Sequence, residues 1–478
     1  MAWIKGLILI VCICYSGADY AQYEKFIRQQ AKNETFVRLF QEHLKNFKSN
    51  DHLLKASERF SCKTFTPPSP RSSSVHQLSP MDIKVVAALG DSITAGTGIT
   101  ASTVIGLLRE DRGKSWSVGG DKTISEEETV ANMLKVYNSN IQGYSTGSGP
   151  VWLESSSHLN LANPGDTSDA IPGQARTLVE RMKKNKNINF DEDWKVITLF
   201  IGGNDLCSFC DDEEKYKAEN YVANIREGLD YLHANVPRAF VNLVEILDIS
   251  IVKKLNANFV CDTLHFFLCS CAAFPANSDR EAELQAETKR YRELMNELVM
   301  TGRYDTKDDF TVIVQPFFSE TYPPDLPDST DPDLSYFAPD CFHLSLKGHR
   351  AAADALWNNM IEPVGKKRTS WKPHEDVECP SESAPFLYTY KNSNGDSYLG
   401  SSRLGSDPVD DETDDNKPDD NTATGIDAVS VIGAVAGILA VTVVVVISVV
   451  GVKRWLSHRE EREILLTSST VNPSYMQL

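Results

Sequence analysis

The chain has 478 residues, a formal net charge of −18 and 41% hydrophobic residues. No basic patch is present to neutralise phosphates, which argues against nucleic acid as a partner. By length it could hold two or three domains, and the character of its two ends reduces that number.

Residues 1–18 carry one Lys, an apolar stretch over 7–13 and small residues at Ser16, Gly17 and Ala18. That is the pattern of a secretory leader cleaved near Ala18. Over 19–57, Phe36, Phe40, Leu44 and Phe47 recur on one face at helical spacing, which predicts a helix packed against the main domain. Asn33-Glu34-Thr35 is a glycosylation acceptor. A Pro- and Ser-rich loop over 66–80 completes a helical extension and linker spanning 19–81.

From Asp82 strands and helices alternate. Strands are expected over 83–89, 159–162 (short), 195–201, 239–247 and 310–314. Helices are expected over 171–184, with Ala175, Leu178, Val179 and Met182 inward, and over 213–235, 280–300 and 346–361. Such alternation argues for a parallel sheet covered on both faces, held in one domain over 82–366. There is no internal repeat.

Residues 367–427 read as a C-terminal strap and an acidic stalk, the Asp-crowded stretch from 407 being solvated and self-repelling. Residues 428–452 are apolar and uncharged, long enough to cross a ~30 Å hydrocarbon core. Lys453, Arg454, Arg459 and Arg462 follow, which places the tail over 453–478 in the cytosol. Leader and late span together predict a single-pass type I membrane protein. The tail holds three short sorting patterns: Asn472-Pro473-Ser474-Tyr475, Tyr475 to Leu478, and Leu465-Leu466 behind Glu461. Such addresses are read by receptors, here clathrin adaptors, and imply endocytic cycling (compare).

Of ten cysteines, Cys12 and Cys14 leave with the leader. The other eight are an even number in an oxidising compartment, which points to disulfides whose pairing the sequence leaves open. Cys207-x-x-Cys210 also fits a redox pair or half a zinc site.

Four polar clusters fall at expected strand ends or helix starts: Gly90-Asp91-Ser92, Asn163-Pro164-Gly165-Asp166-Thr167, Gly202-Gly203-Asn204-Asp205 and Asp340-Cys341-Phe342-His343. Each has a plain structural reading as a turn, a cap or a loop acid. Together they supply what ester cleavage needs. Ser92 is a weak nucleophile that requires a base. An imidazole titrates near neutrality, so His343 can serve as that base, and Asp340 can accept its other ring N–H. Gly165, the Asn204 amide and the Ser92 N–H can face an oxyanion.

These clusters resemble the GDSL/SGNH hydrolases. The likeness extends to the membrane-associated phospholipase B branch through residues 82–92, 115–121, 202–207, 340–345 and 355–360, within a match over about 60–367. It implies a flavodoxin-like three-layer α/β/α fold and a triad of Ser92, Asp340 and His343. It also implies an oxyanion hole at Gly165 and Asn204, and hydrolysis of phospholipids and lysophospholipids without a metal or other cofactor. Ile93 stands where the family has Leu, a swap of similar volume. The alternatives are a short-chain or sugar acetyl esterase, and a sorted surface receptor on a hydrolase scaffold with no turnover.

Overall fold

Four strands form a parallel sheet in sequential order: β1 (Ile83–Gly90), β2 (Trp194–Phe200), β3 (Ala239–Val244) and β4 (Phe310–Gln315). They belong to a computed structural model that describes residues 20–47, 60–64, 72–326, 328–371 and 376–393, all within one compact unit. Ala87, Ile197, Val241 and Val312 lie in one row across the sheet. Every strand residue except Lys84 is buried, so both faces are covered. This explains why the strands read as continuous apolar runs rather than alternating ones.

The expected strand over 159–162 is reduced to a single residue. Gln142 and Asn160 make isolated parallel bridges to Val85 and Ala88 on the free side of β1. Asn160 cannot extend a ladder because its groups are drawn inward. Its amide donates to the Thr94 carbonyl at 2.8 Å, and its own carbonyl accepts from the buried Arg112 guanidinium at 3.0 Å. From β1 the chain therefore runs out to this edge and then back across to β2. The direction of winding reverses beside the carboxyl end of β1, where open α/β sheets hold their ligands.

Nine helices matter for the site: α1 (Tyr20–Gln30), α2 (Glu34–Phe47), α3 (Val130–Tyr137), α4 (Ile171–Lys184), α5 (Gly203–Ser208), α6 (Ala218–Asn235), α7 (Phe259–Leu268), α8 (Ser278–Met300) and α9 (Leu346–Met360). Helices α4, α6 and α8 pack side by side, and α9 packs on α3 and β4. In α4 the expected inward set is buried, and Pro172 occupies the first turn, where its missing N–H costs nothing. The expected helix over 213–235 is two pieces, because Lys217 is extended; the Asn220 side chain donates to the Glu214 carbonyl left open at the break.

The N-terminal expectation of one packing helix resolves into the hairpin α1–α2. Asn33 makes the turn by accepting from the N–H groups of Thr35 and Phe36. Tyr23, Ile27, Phe36 and Phe40 pack on Val104, Leu107 and the α7 residues Val260, Leu264 and Leu268.

The eight cysteines among the described residues are all paired, as Cys62–Cys379, Cys207–Cys269, Cys210–Cys271 and Cys261–Cys341. Cys207 and Cys210 are thus structural, neither a redox pair with each other nor half a zinc site. Among the described residues no helix is long and apolar enough to cross a membrane. The leader, the acidic stalk, the span over 428–452 and the tail residues Leu465, Leu466, Asn472, Pro473, Tyr475 and Leu478 lie outside the described residues.

Candidate active site

β1 ends at Gly90, whose φ is +155°; a Cβ there would fall 2.4 Å from the Phe200 carbonyl oxygen. No side chain fits, and the strand can turn sharply only because this residue is glycine. Gln174 of α4 then locks the turn. Its Oε1 accepts from the Gly90 N–H at 2.9 Å, while its Nε2 donates to the Gly90 carbonyl and to Asp166 Oδ2, both at 2.8 Å. Asp91 caps the single helical turn that follows, accepting from the Ile93 N–H at 3.0 Å. Burial pushes the Asp91 carboxyl up to about 7, against the pull of that hydrogen bond. Ser92 begins the turn and is buried.

Asp340 and His343 sit on the turn ahead of α9, both fully buried. His343 Nδ1 donates to Asp340 Oδ2 at 2.6 Å. Asp340 Oδ1 accepts from the backbone N–H groups of Phe342 and His343, at 3.1 and 3.0 Å. Burial alone would raise this carboxyl; the His343 ring and the hydrogen bonds outweigh it and hold it below the ordinary range. With Nδ1 donating, the neutral ring keeps its lone pair at Nε2. The turn is pinned by the Cys261–Cys341 disulfide.

Gly165 and Asn204 come from the two intervening loops. Gly165 has φ +84° and lies against Tyr20, whose Cβ would be 2.5 Å from a Cβ at this site. Asn204, in the first turn of α5, donates from Nδ2 to the Asp166 carbonyl at 2.8 Å, which leaves the second amide hydrogen as a donor. Next to it, the buried Asp205 accepts from the Ser168 N–H and from its hydroxyl at 2.6 Å. The Gly165 loop and the Asn204 helix are thereby one unit.

Two cavities meet at Asn204. The first is apolar and is lined by Ser92, Phe200, Ile246, Leu247, Val252 and Phe342. The second is a cleft of about 480 Å³ with polar walls at Glu24, Asp166, Thr167 and Tyr216, next to Gly165. Ser92 shares the apolar cavity with the neighbour of His343, so the Gly-Asp-Ser and Asp-x-x-His clusters adjoin. Asn33 is remote in role: it is exposed, and its side chain serves the α1–α2 turn.

Sequence reasoning missed Gln174, the Asp205–Ser168 tie, and the residues of α1 and α2 that reach the site. Gln174 carried one signal: it is a polar residue on the inward stripe of α4, where burial demands partners.

A doubly covered parallel sheet with Gly-Asp-Ser closing its first strand and a buried Asp–His pair before its last helix has the architecture of an α/β acyl hydrolase. The chain belongs to the GDSL-like lipase/acylhydrolase family, whose model matches residues 86–356. It is 48% identical over 331 residues to a Homo sapiens protein named phospholipase B1, membrane-associated, covering 67% of this chain and 22% of that protein. The Mus musculus protein of the same name is 44% identical over 349 residues, 71% of this chain and 24% of the relative. The chain thus spans less than a quarter of the length of these curated relatives. The resemblance read from the motifs is borne out, the phospholipase B branch included.

Proposed function

We propose that this chain is a serine ester hydrolase of the phospholipase B type, releasing fatty acids from phospholipids and lysophospholipids. Ser92 Oγ attacks the ester carbonyl while His343 Nε2 takes its proton. Asp340 holds the ring tautomer and stabilises the imidazolium. The tetrahedral oxyanion is met by the second Asn204 amide hydrogen, the Gly165 N–H and the Ser92 N–H. His343 returns its proton to the leaving alcohol, and water then hydrolyses the acyl-serine by the same relay. The buried Asp340–His343 hydrogen bond at 2.6 Å carries this reading, because it fixes which ring nitrogen is left for the serine. The apolar lining beside Ser92 supports a fatty acyl group. The winding reversal at β1 supports a flavodoxin-like three-layer domain over 82–366.

The sequence further supports a type I anchor over 428–452, a catalytic domain outside the cytosol, a glycan on Asn33 and adaptor binding by the tail. Tethering would raise the effective concentration of the site at a lipid surface. The nucleophile is tested by reacting the chain with a fluorophosphonate and mapping the adduct. Label on Ser92, blocked in Ser92→Ala, is expected; label elsewhere, or none on a protein that hydrolyses esters, would refute the assignment.

A further inference from the structure

Asp340 accepts four hydrogen bonds, and three come from its own turn: two backbone N–H groups on Oδ1 and the His343 ring on Oδ2. The fourth is the Tyr23 hydroxyl, which donates to Oδ2 at 3.5 Å, long for such a bond. Tyr23 lies in α1, some 60 residues ahead of the stretch matched by the family model, and has no exposed surface. The same hairpin makes a second hold on this turn, where His43 Nε2 of α2 donates to the Pro339 carbonyl at 2.7 Å. His265 Nε2 of α7 also donates to this turn, at the Cys341 carbonyl, at 3.0 Å. The carbonyls before and after Asp340 are thus each held by a buried imidazole. The hairpin is itself fixed on α7, with Phe26 stacked on Phe267 at 4.4 Å, and Tyr20 rests on Gly165.

We propose that the α1–α2 hairpin is an integral part of the catalytic unit and that Tyr23, seconded by His43, is a positioning residue for the Asp340–His343 pair. This rests on reading that pair as the working acid–base couple. The tyrosine hydroxyl draws charge on Oδ2 away from the imidazole and fixes the plane of the carboxylate. Without it, the carboxylate faces the ring with more of its charge and less restraint. The imidazolium becomes easier to form, and the ring is aimed less well. The other titratable groups facing the pair are Tyr20 and His43 of the hairpin, His265 of α7, Asp91 beside Ser92 and His349 of α9. Tyr23→Phe leaves all of them in place.

The test uses the full chain in detergent micelles with a p-nitrophenyl ester. Tyr23→Phe is expected to lower kcat about three- to tenfold, the rate equivalent of one net hydrogen bond, with KM within about twofold. The acid limb of its kcat/KM profile is expected to move to higher pH, while the melting temperature stays close to wild type. His43→Leu should also lower kcat, and His43→Gln, which retains a side-chain N–H for Pro339, should recover part of the loss. An unchanged rate and profile in Tyr23→Phe, with Ser92→Ala inactive, would overturn this inference alone. A faster Tyr23→Phe enzyme would overturn it too and make the hairpin a cover over the cleft. A wild-type chain without esterase activity would overturn the reading of the pair and this inference with it.

Discussion

Asp91 and Asp340 are both buried carboxyls, with opposite electrostatic fates. Asp340 gathers four donors and stays ionised, whereas Asp91 has one backbone N–H and is pushed up to about 7. A folded-state value above the unfolded one means that the native protein binds this proton more tightly than the unfolded chain. Its contribution is fully present below about pH 4 and is lost as the pH rises through about 7. Asp91→Asn keeps an Oδ1 acceptor for Ile93 and carries no charge. Its melting temperature should match wild type near pH 4 and exceed it by a few degrees at pH 8; a gap independent of pH would contradict the assignment. For Asn204→Ala, kcat should fall on the order of 10²–10³ with little change in KM, as for loss of one oxyanion donor. The proposed site residues could be picked out at this scale because ester chemistry confines such groups to short motifs at element ends. Gln174 and Tyr23 were not, since each acts through a partner far along the chain, Gly90 or Asp340.

At the scale of elements, the strands were legible because burial on both faces writes them as apolar runs. Their ends were less so: β3 stops at Val244, where β4 stops pairing with it at Gln315, and not at the expected 247. The strand over 159–162 failed because Arg112 and Thr94 claim Asn160. Helix α7 was missed because Phe259–Leu268 is apolar nearly all round and shows no polar face to mark a period. Gln174 joins two such elements, the end of β1 and the Gly165 loop. Gln174→Ala strands the Gly90 N–H, while the Gly90 carbonyl keeps the Asn163 N–H, and should cost on the order of 1–3 kcal/mol. It should also lower kcat, because the Ser92 turn and the Gly165 loop, the proposed oxyanion loop, lose their common tie. A destabilised variant with unchanged kcat would limit Gln174 to a structural role.

Across the whole molecule, four disulfides divide between two tasks. Three gather α5, α7 and the Asp340 turn around the site. The fourth, Cys62–Cys379, closes a span of 317 residues and fastens the C-terminal strap, where the Leu387 N–H donates to the Leu78 carbonyl. Replacing Cys62 and Cys379 together by Ala should lower stability by about 2–4 kcal/mol while sparing kcat. None of these pairings was legible, since eight cysteines constrain connectivity only through the fold. The central claim is lipid ester hydrolysis by Ser92, and fatty-acid release tests it most directly. The purified chain in detergent micelles would be given diacyl phospholipid, lysophospholipid and a short-chain acetyl ester, with Ser92→Ala beside it. Fatty acid from both lipids, abolished in Ser92→Ala, is the predicted result. Cleavage of the acetyl ester alone, or lipid hydrolysis that survives Ser92→Ala, would contradict it.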